Sequence, residues 1–276
     1  MTKYLMAVVQ MDSQDNVDDN LAVASSYVEE AACAGAKMIA FPEGMNYVGL
    51  DSVGHAEEVP GGRTFCFMAS LAKKYKMWLH CGSIYEKNEK DHRPYNCSMI
   101  INPDGELVTK YHKMHPFDVV IANGPTNKES ERICPGDEIV TVPTDEVGCL
   151  GLSICYDIRF PELYRIMVLN GAQVLFVPAD FTMITGKDYW ETLLRSRAIE
   201  NECYIVAPAQ IGNKPKFKAY GNAMIIDPWG TVIARAPNHP GLIIAEIDLD
   251  YENDVRHQTY ALANRRPDVY SLKYNK

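Results

Sequence analysis

Three residues of this chain have side chains that could act together on a carbonyl carbon: Cys155, Glu43 and Lys113. Cys155 ends the apolar run 149–154 and precedes Tyr156-Asp157-Ile158-Arg159-Phe160-Pro161-Glu162. The run reads as a buried strand and Pro161 as the first residue of a helix. A strand-to-helix turn sets a thiol at a sheet edge and aims backbone N–H groups at whatever it attacks. The helix start and a nearby ammonium would favour the thiolate. A core cysteine is the other reading of the same run. Glu43 lies in Phe41-Pro42-Glu43-Gly44. A carboxylate just past a buried strand can be desolvated, which raises its pKa towards general-base use. A solvated turn residue fits that motif as well. Lys113, in Lys110-Tyr111-His112-Lys113-Met114-His115-Pro116-Phe117-Asp118, could stabilise a thiolate and an oxyanion. It could also be a surface lysine of a basic turn.

The elements that must position these residues follow from periodicity. Residues 4–10 and 37–41 read as strands, 17–34 and Thr64 to Tyr75 as helices, and about 77–84 as a further strand. The pattern then returns. Residues 35–42 (GAKMIAFP) resemble 171–178 (GAQVLFVP), and 99–105 (MIINPDG) resemble 224–230 (MIIDPWG). The second pair reads as strand, Asx-Pro-x-Gly turn, strand. Two related halves follow, each with βαβ units and a returning hairpin. Two such sheets packed face to face, with helices outside, would bury both faces of every strand. The halves differ after the equivalent prolines: Glu43 follows Pro42, whereas Ala179 follows Pro178. Strand ends collect sites in α/β folds, so a carboxylate on one end alone hints at function.

Composition narrows the class. The 276 residues are 47% hydrophobic and 23% charged, with a formal net charge of −9. No basic cluster supports nucleic-acid binding, and no run approaches a membrane span. The N-terminus lacks an apolar signal core. Eight cysteines are scattered without CxxC spacing, as expected of reduced thiols in a cytoplasmic protein. A single domain over residues 1–276 is expected. His112 and His115, with His80 and Cys81, raise a metal reading, but a His-x-x-His pair without a third spaced ligand is weak. No Walker sequence is present, and Gly148-x-x-Gly151 is too poor for dinucleotide binding. No cofactor and no metal are expected.

Taken together, Phe41-Pro42-Glu43, Lys113-Met114-His115-Pro116-Phe117-Asp118 and Gly151 through Glu162 resemble the nitrilase superfamily of carbon–nitrogen hydrolases. The resemblance runs from about residue 4 to Tyr270. It implies a four-layer α-β-β-α sandwich with two six-stranded sheets and an internal pseudo-two-fold. It also implies pairing of subunits through outer helices into a homodimer or a larger homo-oligomer, and the tail from about residue 265 is expected to pack on a partner. Glu43, Lys113 and Cys155 become the catalytic residues, with the Tyr156 N–H as an oxyanion donor. A supporting glutamate is implied before Pro135-Gly136, matched to Glu129, with Glu131 close enough to compete.

Phe181-Thr182-x-x-Thr185-Gly186, the segment from Trp190 to Asn201, Tyr220-Gly221-Asn222 and Arg265 through Tyr270 resemble the deaminated-glutathione amidase and omega-amidase branch. Tyr189, Asn222 and Pro116 depart from that branch, which has His, His and Leu there. They suggest a changed pocket or changed loop packing. Phe181 and Thr182 are expected to line the pocket, and Tyr47 and Thr182 are candidates for binding a substrate carboxylate. Arg197 and Glu200 read as a helix brace. The expected substrate is the terminal amide of a small carboxylate-bearing acid, cleaved to acid and ammonia through a thioester. An N-carbamoyl hydrolase with the same triad is the alternative, and a silent binding protein is the alternative of another class.

Overall fold

The first strand shows why the chain folds in layers. In β1 (Lys3–Met11), Tyr4, Met6 and Val8 enter one apolar cluster while Ala7, Val9 and Met11 enter another. A strand buried on both faces needs a layer on each side. The computed structural model describes residues 2–120 and 126–275.

The first half continues with α1 (Val17–Cys33), β2 (Met38–Ala40), α2 (Arg63–Tyr75), β3 (Trp78–His80), β4 (Ile84–Glu86), β5 (Tyr95–Ile101) and β6 (Leu107–His112). A short hairpin, β7 (Asp118–Val120) and β8 (Thr126–Lys128), precedes the second half. That half holds β9 (Thr141–Thr144), β10 (Gly148–Leu152), α3 (Pro161–Leu169), β11 (Val174–Phe176), α4 (Met183–Asn201) and β12 (Tyr204–Ala207). It ends with β13 (Ala209–Asn213), β14 (Lys218–Tyr220), β15 (Met224–Ile226), β16 (Val232–Arg235), β17 (Gly241–Asp248) and α5 (Leu249–Thr259).

Local chemistry sets the helix ends. Asn16 caps α1 by accepting from the N–H groups of Asp18 (3.0 Å) and Asp19 (3.3 Å). The buried residues Leu21, Ala24, Val28 and Ala31 form its inner stripe. Thr182 caps α4, and Pro161 opens α3 as its spacing predicts.

One sheet has six strands in the order β16-β15-β12-β11-β10-β9. The other has nine, and six of them repeat that order as β6-β5-β3-β2-β1-β17. The match extends to pairing. In each sheet three central strands run parallel, flanked on one side by one antiparallel strand and on the other by an antiparallel hairpin. It extends also to a bulge, at Ile100/Ile101 in one sheet and Ile225/Ile226 in the other. The two sequence repeats fall on β2 with β11 and on β5 with β15. The expectation of two six-stranded sheets is corrected in one respect: β4, β13 and β14 enlarge the first sheet. Pro208, which has no N–H to donate, separates β12 from β13, and β13 then pairs with β1 in the opposite sheet.

α1 and α2 pack on the outer face of the nine-stranded sheet through Leu21, Val28, Met68 and Leu71. α3 and α4 cover the six-stranded sheet through Tyr164, Met167, Trp190 and Leu194. This is the four-layer α-β-β-α arrangement. Its mixed sheets and inner core bring the ends of β2, β6 and β10 together. No helix of the described residues is long and apolar enough to cross a membrane.

Candidate active site

Each candidate side chain sits just beyond the end of a strand. Glu43 follows β2 by way of Phe41 and Pro42. Gly82, with φ +51°, lets the chain after β3 come close: a Cβ there would run into the Pro42 carbonyl. Lys113 follows β6, and its N–H donates to Asn96 O at 2.8 Å. Cys155 opens a 3₁₀ turn (Cys155–Arg159) after β10, with φ +48°, a left-handed conformation costly for a residue with a Cβ. Its N–H donates to Pro178 O at 2.9 Å, tying the turn to the end of β11.

The three predicted residues meet in one cavity of about 200 Å³. Lys113 Nζ donates to Glu43 Oε1 at 2.9 Å and to Glu129 Oε2 at 2.9 Å. Cys155 and Glu43 line the same cavity, near enough for each to shift the other's ionisation. Lys113 is only 2% exposed and Cys155 8%, so these charges act on one another with little water between them. Glu129, rather than Glu131, is the acid at the site. Glu131 lies on the surface and pairs with Lys128 at 3.4 Å.

Ionisation differs from the sequence reading in two places. Burial opposes a charge on Glu43, but the Lys113 ammonium and hydrogen bonds from Lys113, Cys155 and the Asp180 N–H outweigh it. The carboxyl is therefore held below its ordinary range, where a raised value was expected. Asn96 Nδ2, at 2.8 Å from Glu43 Oε1, adds a further donor. Burial pushes the Cys155 thiol well above its usual value, and the Glu43 carboxylate adds to this against Lys113. The resting sulfur is a neutral thiol beside an ionised acid, not a preformed thiolate. Burial would strip the proton from Lys113, but Glu129 and Glu43 hold it there firmly.

Some residues at the site were missed by sequence reasoning. Asp157, fully buried, accepts from Tyr111 Oη (2.8 Å), the Ile154 N–H (2.8 Å), and the N–H and Nδ1 of His115 (3.0 and 2.8 Å). It locks the cysteine turn to the segment that follows Lys113. Arg197 donates to Ile158 O at 2.7 and 3.0 Å besides pairing with Glu200 at 2.9 Å, so the helix brace also holds this turn. The Asp180 N–H donates to Glu43 Oε2 at 2.9 Å. Arg132, Lys214 and Lys216 line the cavity as well. Position next to a strand end could have flagged Asp180. Nothing in the local sequence marks the three cations.

Tyr47, Phe181 and Thr182 all line the cavity, as does Tyr156. The hydroxyl of Tyr47 accepts from the Asp51 N–H at 3.2 Å, and that of Thr182 is 3.0 Å from the Thr185 hydroxyl. In the 3₁₀ turn the N–H of Asp157 is bonded to Ile154 O, and Tyr156, one residue earlier, directly follows Cys155. None of the three departures lines the cavity. Tyr189 lies under the Arg159 guanidinium, Asn222 accepts from Arg235, and the carbonyl of Pro116 accepts from the Asp118 N–H. All three thus make their contacts outside the cavity lining.

The histidines do not gather. His112 Nε2 is 2.6 Å from Glu86, His115 pairs with Asp157, and His80 Nε2 is 3.0 Å from the Ser98 hydroxyl. Among the described residues one trio, Glu86, Cys97 and His112, brings its donor atoms within 4.8 Å of one another. The Lys110 ammonium, 2.5 Å from Glu86 Oε1, already supplies a cation there.

A buried thiol, an ionised carboxylate and an ammonium thus meet at converging strand ends on a four-layer sandwich. The chain belongs to the carbon–nitrogen hydrolase family, whose model matches residues 5–257. It is 41% identical to a deaminated glutathione amidase of Synechocystis over 270 residues, covering 96% of this chain and 99% of the relative. It is 35% identical to human omega-amidase NIT2 over the whole of both chains. The crystal structure of the Caenorhabditis elegans NitFhit protein superposes with a TM-score of 0.92 at 37% identity, covering all of this chain and 68% of that one. The protein is an amidase: it hydrolyses carbon–nitrogen bonds of amides other than peptides.

Proposed function

We propose that Cys155 is the nucleophile, Glu43 the general base and acid, and Lys113 with the Tyr156 N–H the oxyanion site. The carrying observation is the Lys113 ammonium held between Glu43 and Glu129, 2.9 Å from each, in the cavity that contains the sulfur. Glu43 takes the thiol proton as sulfur bonds to the amide carbon, and the carbonyl oxygen becomes an anion. As the C–N bond breaks, Glu43 returns that proton to nitrogen and ammonia leaves a thioester. Water then gives a proton to Glu43 as it attacks, and the departing sulfur recovers it. Glu129 orients Lys113 and keeps it charged.

The substrate is the terminal amide of a small carboxylate-bearing acid. Support comes from the names of the relatives and from Arg132 and Lys216 at the cavity wall, which can pair with a carboxylate. The chain forms a single domain that works in the cytoplasm and pairs into a homodimer, with the tail from residue 265 on the partner. The exposed Val269 and Tyr270 support that last point. Replacing Cys155 by Ala should lower ammonia release from glutaramate or succinamate by about 10⁴-fold or more. Retention of wild-type turnover by that variant would remove the thioester route.

A further inference from the structure

One cavity residue has no place in this reaction scheme. Asp180 lies two residues past Pro178, and its backbone is spent on Glu43. Its side-chain Oδ1 is shut off from bulk water and has no hydrogen-bond partner among the described residues. A buried carboxyl oxygen left unmatched is expensive, and native proteins seldom leave one without a use.

Two neighbouring ammonium groups are engaged elsewhere. Lys113 serves Glu43 and Glu129. Lys214, with a side chain fully withdrawn from solvent, donates to Asp12 Oδ1 (2.9 Å), Ser13 O (2.9 Å) and Gln210 Oε1 (3.0 Å). Among the described residues Asp180, a partly buried carboxyl of this cavity, thus forms no ion pair, and its Oδ1 is the enclosed oxygen. Burial accordingly pushes it up to about 7, with Lys214 and Lys113 pulling the other way and Glu43 and Asp12 adding to the rise. The missing partner can arrive with the substrate. Arg132, by contrast, is a cation of the cavity wall held by a long bond, 3.4 Å, to Asn127.

We infer that Asp180 is the specificity-determining carboxylate of this site and receives a primary ammonium group of the substrate, so that the preferred substrate is the ω-amide of an α-amino acid. This inference rests on the amidase reading above. An ammonium brought into the cavity gives Asp180 its counterion in a medium of low dielectric. The substrate carboxylate then lies towards Arg132. An otherwise identical amide without the amine leaves Asp180 unpaired, and a polar group left unpaired is what lets a site reject a near-isostere strongly.

Matched pairs test this: L-glutamine against glutaramate, and L-asparagine against succinamate, which differ in the amine alone. The wild type should favour the amine-bearing member of at least one pair tenfold or more in kcat/KM. Asp180→Asn should shrink that ratio at least tenfold, and Asp180→Glu should restore part of it. A wild-type preference for the amine-free members, or a ratio unmoved by Asp180→Asn, overturns the inference. Hydrolysis of propionamide with neither pair turned over overturns it too, while leaving the amidase mechanism intact. If no amide is cleaved and iodoacetamide does not label Cys155, the mechanism itself fails and takes the inference with it.

Discussion

The ends of β2 and β11 are the same place built twice. Phe41 and Val177 each donate to the next strand, to His80 O at 3.0 Å and Val206 O at 2.9 Å. Each is followed by a proline whose carbonyl receives a loop N–H, from Ser83 in one half and Cys155 in the other. Beyond that the halves diverge. In the first, Glu43 meets an ammonium and at least two further donors and stays ionised. In the second, Ala179 is followed by Asp180, whose side chain forms no ion pair among the described residues, and burial lifts it to about 7 against the pull of Lys214 and Lys113. Two carboxyls beyond equivalent strand ends, the backbone N–H of Asp180 donating to the side chain of Glu43, are thus driven in opposite directions. The fold sets where an acid stands; its immediate partners set what it can do.

That contrast can be broken first by removing the cation. Lys113→Met strands Glu43 and Glu129 as uncompensated buried carboxylates, and should cost about 3–5 kcal/mol of stability by urea titration. It should also lose roughly 10²–10³-fold in kcat with the oxyanion donor. An unchanged urea midpoint would mean that Lys113 is not what keeps Glu43 charged. Next in size, Glu43→Gln keeps the shape but not the base, and kcat should fall roughly 10²–10⁴-fold. If Asp180→Asn lowered kcat as much on amine-free substrates, the two strand ends would be sharing the base role.

The third prediction concerns pH. Asp180 has a folded-state pKa raised from 3.8 to about 7, so the native state holds a proton that the unfolded chain releases. Stability is then lost as pH rises from about 4 to about 7, by up to about 4 kcal/mol relative to Asp180→Asn. Glu43 has the opposite sign: its lowered pKa contributes stability above its unfolded value, and that is lost as pH falls through the folded one. Urea midpoints of the wild type and each variant between pH 3 and 8 should therefore slope in opposite directions, and parallel curves would refute the contrast. The smallest effect belongs to Asn96→Ala. Losing its 2.8 Å bond to Glu43 should cost about 1.5–3 kcal/mol and leave Cys155 reactive to iodoacetamide.

Much of the architecture was readable because hydrophobic patterning is local. Strand 4–10, helix 17–34 and helix 64–75 match the observed elements to within a residue or so at each end. The internal repeat, seen as two short matches, proves to be a shared strand order down to a common bulge. The short strand beyond Ser83 and the transfer of β13 across the sandwich were not legible, since an edge strand is defined by the neighbour it finds. At the site, residue types adjoining strand ends pointed to Glu43, Lys113 and Cys155. Asn96, Asp157 and Arg132 carried no such mark, because each acquires its meaning from a residue more than forty positions away or from the cavity wall.

By itself, the sequence determined the elements, the duplication and the three residue types that meet in the cavity. Periodicity and covalent order carry that information directly. The tertiary structure alone decided the charges: a Glu43 kept ionised against its burial, a thiol kept protonated, and an Asp180 poised near neutrality. A pKa is a balance between desolvation and partners a few ångströms away, and those partners come from strands far apart in the chain.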